Sequence, residues 1–179
     1  MTMTGFPSSV SFSLLAALLA AAVYTDVKNQ RIPNTVTAIG VITGTAMQGW
    51  FFGFEGLGTA LGGLGVGLIG FLPFYLKGGM GAGDVKLMAA VGTFLGAKLT
   101  IIAIAYTLIA GMVFGLFYAA WHGGVRPMLQ RFLTTLHFLA VTGTVSHTGP
   151  RPNEAAAHRF PFAVSIALGT LSALMWPVF

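Results

Sequence analysis

Cysteine is absent from the chain. That excludes a disulfide framework, a thiolate metal site and a cysteine nucleophile. Acidic residues are nearly absent too: Asp26, Glu55, Asp84 and Glu154 are the only four. Charged residues of both signs make up 7% of the sequence and hydrophobic ones 55%, whereas a soluble domain carries about 25% charge. A chain of 179 residues with this composition reads as a membrane protein, not as one soluble domain. The net charge of +5 reflects the shortage of acids. Lys and Arg are scattered and never form a run, so no nucleic-acid partner is implied. The four histidines, at 122, 137, 147 and 158, show no HExxH or HxxEH spacing. No metal and no other cofactor is expected.

What is present is a series of uncharged runs near the length of about 20 residues that spans a bilayer. They cover residues 2–25, 34–54, 56–76, a short run that starts at Asp84 ("VKLMAAVGTFLGA"), 99–121 and 160–179. The short run has too few apolar residues to cross alone, so it is expected to start below the surface or to line a polar cavity. The first run has no Lys or Arg before it, unlike a cleaved signal peptide. The stretch 125–142 places apolar residues at 128, 129, 132, 133, 136 and 139, a helical spacing, and is expected to lie in the membrane interface. The expected fold is therefore an all-α polytopic membrane protein, with six transmembrane helices and one interfacial helix.

Positive charge predicts the orientation. Loops one, three and five carry Lys28 and Arg31, Lys77 and Lys86, and Arg126, Arg131, Arg151 and Arg159; the other side has only Lys98. Loops rich in Lys and Arg stay in the cytoplasm, which puts both termini outside.

In this topology Asp26 ends the first helix and Asp84 begins the fourth, both at the cytoplasmic edge. Ionisable groups at such positions are expensive and commonly functional. The plain alternative is pairing with Lys28, Arg31 or Lys86. Asp84 follows four glycines in "GGMGAGDVK" (78–86). Two close carboxylates can share one proton. One then acts on a water as base while the other protonates a substrate carbonyl, which is peptide hydrolysis without metal or covalent intermediate. Gly81 and Gly83, lacking Cβ, allow a substrate backbone to approach. The helix dipole favours charge on Asp84 and opposes it on Asp26, so Asp84 is expected to be the base and Asp26 the acid. The stretch is not a phosphate loop, because Gly-Lys-Ser/Thr is missing. "GGLGVG" at 62–67 lies inside an apolar span, where Gly58, Gly62, Gly63 and Gly67 have the spacing of helix-packing residues.

These residues resemble a known family. "GAGD" at 81–84 has the G-x-G-D form of intramembrane aspartyl proteases. Asp26 followed by "VKNQRIPN" is similar to the other half of the bacterial prepilin peptidase signature, and "GDVK" and "RFPFAVSIALG" (159–169) match that family as well. Val164 stands where the family tends to have a second proline. The resemblance implies a single transmembrane aspartic peptidase domain over 1–179, with Asp26 and Asp84 catalytic and Gly81, Gly83, Lys86, Pro33 and Asn34 contacting the substrate. It implies cleavage of type IV prepilin leaders at the cytoplasmic face of the bacterial inner membrane. The partners implied are a prepilin or prepilin-like substrate and the lipid bilayer, and a homo-oligomer is compatible with it. The absence of cysteine and the short first loop resemble the short form that serves Flp or tight-adherence pili, so N-methylation is not implied. The rival class is a small carrier or channel with Asp26 and Asp84 as proton or cation sites; a third is a non-catalytic assembly factor.

Overall fold

The computed structural model describes residues 8–121 and 161–176. The described residues are helical apart from short connections, in four helices: α1 (Ser8–Asn29), α2 (Asn34–Leu76), α3 (Ala82–Trp121) and α4 (Phe162–Met175). Three of these, over Ser9–Asn29, Asn34–Leu76 and Ala82–Phe117, are long and apolar enough to cross a membrane. The expected six separate spans are thus not what is found. The expected interfacial helix at 125–142 lies outside the described residues. The chain divides into two compact units, Met1–Gly111 with Pro161–Phe179, and Met112–Phe160. All that follows concerns the first.

The difference from six arises at two glycines. The 43 residues of α2 would make a straight rod of about 64 Å at 1.5 Å per residue, twice the hydrocarbon thickness. The helix is not straight. Gly53 has φ 59° and ψ −137°, and in α3 Gly96 has φ 73° and ψ 171°. Both lie in the region that glycine adopts without steric cost. A Cβ on Gly56 would collide with the Gln48 carbonyl, although eight residues of straight helix rise about 12 Å. The chain therefore doubles back at Gly53. Likewise Gly63 and Gly67 lie against Gly92 and Met88, before Gly96, while Gly70 lies against Ile104, after it. The expected loops near Glu55 and Lys98 are thus single-glycine breaks inside helices, a change of direction that apolar periodicity does not register.

The first limb of α3 sits at the centre. Every residue from Leu87 to Gly96 is buried. This explains why so short an apolar run suffices there: its surroundings are protein on all faces. Bare glycine backbone lets its neighbours close in. A methyl on Gly63 would strike the Gly92 carbonyl, and one on Gly67 would sit 2.8 Å from Ala89 Cα. Gly58, by contrast, faces open space. The break at Gly96 leaves the last carbonyls of the preceding limb without their helical donors, and buried Gln48 Nε2 donates to the Phe94 carbonyl at 3.0 Å. Thr25, Thr43, Thr93 and Thr100 donate back to carbonyls of their own helices, so these hydroxyls need no solvent.

Candidate active site

α1 packs against both α2 and α4, and its last turn carries Asp26, only 7% exposed. The Asp26 Oδ2 accepts the backbone N–H of Ala163 at 3.0 Å. Ala163 lies at the start of α4, after Pro161 as N-cap. The first N–H groups of a helix have no partner within it, and that end of the dipole attracts an anion. The helix start is itself pinned by aromatic packing. The Phe162 ring meets fully buried Phe71 edge-on, with centroids 6.1 Å apart and planes at 69°. A Cβ on Gly111 would come 2.6 Å from the same Phe162 ring.

Asp84 is half-buried in the first turn of α3. Its Oδ2 accepts the N–H of Gly81 at 3.1 Å, while its own N–H donates to the Gly81 carbonyl at 3.2 Å. This is the reach-back of a third-position carboxylate to the capping residue, at the helix end that stabilises negative charge. Lys28 and Lys86 each have a contact away from the carboxylates. Lys28 Nζ lies 3.4 Å from the Tyr24 hydroxyl and 5.6 Å from its ring centroid. Lys86 Nζ donates to Asn34 Oδ1 at 2.9 Å.

The connection 30–33 joins the two acid-bearing turns. Ile32 is buried against Gly83: a Cβ placed there would lie 3.2 Å from Ile32 Cβ. Pro33 is the N-cap of α2, its ring setting φ to −62°, the value at which helices readily begin. Asn34 is the first residue of α2 and bonds Lys86. Thus Pro33, Asn34, Gly83 and Lys86 are brought together. A Cβ on Gly81 would meet the Asp84 carboxylate at 3.1 Å, and one on Gly83 would meet Ile32. Asn34 and Lys86 also stand at the mouth of an open groove of about 530 Å³, walled by Thr37, Val41 and Ile42 and by Leu64 and Leu68.

Sequence reasoning missed two contributors. Ala163, which donates to Asp26, acts through its backbone, so its side chain carries no signal; only Pro161 before an apolar run marks the helix start. Ile32 was visible only as part of "IPN", with nothing to tie it to Gly83.

Two acid-bearing helix ends in an apolar helical protein define a class, and the comparisons with known proteins place the chain within it. Residues 13–116 match the type IV leader peptidase family, and the chain belongs to that family. It is 32% identical over 151 residues to a prepilin leader peptidase/N-methyltransferase of Legionella pneumophila, covering 79% of this chain and 51% of that protein. It is also 32% identical over 118 residues to the protein of that name in Bacillus subtilis strain 168, covering 62% of this chain and 43% of that one. The chain therefore spans about half the length of the curated relatives it matches. No solved structure matches it significantly. The family match includes both Asp26 and Asp84.

Proposed function

We propose that this protein is a membrane-embedded aspartic endopeptidase that removes the leader from type IV, Flp-like prepilins at the cytoplasmic face of the bacterial inner membrane. The observation that carries the reading is that Asp26 and Asp84 stand on two helix ends tied together by the contacts of residues 32–34 with 83–86, inside the stretch that matches the leader peptidase family. The reaction needs only these two groups. One carboxylate takes a proton from water as the oxygen attacks the scissile carbonyl carbon. The other, protonated, donates to the carbonyl oxygen. Collapse of the tetrahedral intermediate breaks the C–N bond and the departing amine takes the proton. Gly81 and Gly83 hold Asp84 and the facing chain, and Asn34, Pro33 and Lys86 meet the substrate at the groove mouth. No cofactor takes part.

The proposed topology has the chain turning back at Gly53 and Gly96, with the central limb 82–95 shielded by the rest. Exposed Trp50 stands near the first break, as tryptophan at a membrane–water interface does. With the Lys and Arg excess on the Asp side, that break faces outward and both carboxylates face the cytoplasm. Reporter fusions at Glu55 and Lys98 read as outside, and fusions at Gly79 as cytoplasmic; the reverse pattern overturns the orientation.

The decisive experiment is incubation of the purified protein with a prepilin in detergent, followed by mass analysis of the product. Loss of the leader is expected. An intact prepilin, with proton or cation flux in proteoliposomes that depends on Asp26 and Asp84, would instead make the protein a carrier.

A further inference from the structure

Only four residues, 30–33, cross from the end of α1 to the start of α2. At most about 3.5 Å per residue, so short a strap tightly limits where the two helix ends sit. It is fastened at three points. Gln30 has φ 51°, an uncommon left-handed conformation for a residue with a side chain, and its N–H donates to the Asp26 carbonyl at 2.8 Å. Ile32 lies on Gly83, where an added Cβ would stand 3.2 Å from Ile32 Cβ, 3.6 Å from Cγ1 and 3.6 Å from the backbone nitrogen. Asn34 accepts from Lys86 at 2.9 Å. The strap thus begins four residues after Asp26 and lies on the residues that flank Asp84.

We propose that Ile32 is a positioning residue: seated on the bare backbone of Gly83 and clamped by the Asn34–Lys86 bond, it sets the separation of the Asp26 and Asp84 carboxylates. The inference rests on the two-Asp peptidase reading above. A shared proton demands close approach of the two groups, and a displacement of about 1 Å costs on the order of a hundredfold in rate. A methyl on Gly83 meets Ile32, which must yield by a few tenths of an ångström and carries the strap with it. That is a different reason for glycine than substrate access, and it is separable, because shrinking Ile32 repairs a displaced strap and does nothing for a blocked substrate.

The cysteine-free chain permits a direct measurement. Asp26→Cys with Asp84→Cys, in the full chain in detergent, is treated with thiol crosslinkers of graded length. The pair is expected to be bridged by the shortest reagents. Adding Gly83→Ala shifts bridging to other lengths, and adding Ile32→Ala on top restores the original pattern. In the enzyme with both aspartates, Gly83→Ala lowers kcat on a prepilin several-fold with KM changed less than twofold, and Ile32→Ala recovers most of the loss. A crosslinking pattern indifferent to Gly83→Ala, or no recovery with Ile32→Ala, overturns the positioning role while leaving the peptidase reading intact. A pair that no short reagent bridges overturns the two-Asp reading and this inference with it. If Gly83→Ala does not accumulate in the membrane, Lys86→Met loosens the strap without adding bulk. It should widen the range of bridging reagents, and an unchanged range refutes the clamp.

Discussion

Asp26 and Asp84 each accept a backbone N–H through Oδ2 at about the same distance, yet the two bonds are of different kinds. The donor to Asp84 is Gly81, three residues away, and the bond is exposed; the donor to Asp26 is Ala163, 137 residues away, and the bond is buried. One carboxylate is placed by the first turn of its own helix. The other is placed by the docking of α4 on α1. A local hydrogen bond forms wherever that helix forms, but a bond across 137 residues exists only in the assembled fold. The Asp26 bond to Ala163 therefore depends on the assembly of the bundle.

The largest effect expected removes ionisation at either position and keeps the shape. Asp26→Asn and Asp84→Asn each retain an oxygen that can accept from Ala163 or Gly81, so both proteins should reach the membrane with unaltered melting behaviour. Each should lose nearly all leader cleavage, because members of a catalytic unit are not additive. Near-normal turnover by either variant ends the two-Asp reading. The next substitution is aimed at the Asp26 side. Phe71→Ala removes the buried ring that holds Phe162 at the start of α4. Its expected cost is about 3 kcal/mol, the low end of the range for buried aromatics, since packing and the cavity count where the alternative surroundings are lipid. Cleavage per folded molecule should fall as well; full activity would show that α4 does not position Asp26.

Truncation of the carboxylates themselves sharpens the contrast. Asp26→Ala strands a buried N–H, an expected loss of about 1–3 kcal/mol. Asp84→Ala removes, among its contacts, the exposed cap on Gly81, itself worth about 0.5–1 kcal/mol. Detergent melting curves giving equal losses would erase the distinction between the two sites. Away from the acids, two glycines give a second contrast, and the smallest effect of all. Gly63→Ala forces a methyl against the Gly92 carbonyl, costing about 1–3 kcal/mol by overpacking. Gly58→Ala meets nothing and should be neutral or slightly favourable in the same curves, as exchanging glycine for alanine inside a helix usually is.

The sequence by itself determined the apolar helical class, the two acids at helix ends and the family signature, because each is written in composition or in spacing along the chain. Local capping was equally readable: Gly81 and Asp84 stand at the distance at which a third-position carboxylate reaches back to its cap. Tertiary structure alone decided three other matters. It turned α2 and α3 back on themselves at Gly53 and Gly96 with no loop, since one residue with positive φ reverses a helix without interrupting its apolar pattern. It set Gly83 against Ile32, because a missing Cβ states that something comes close and not what comes. And it brought Ala163 to Asp26 and Ile32 to Gly83, contacts made by backbone atoms and by an ordinary apolar side chain, whose partners are selected by shape and proximity only once the helices have packed.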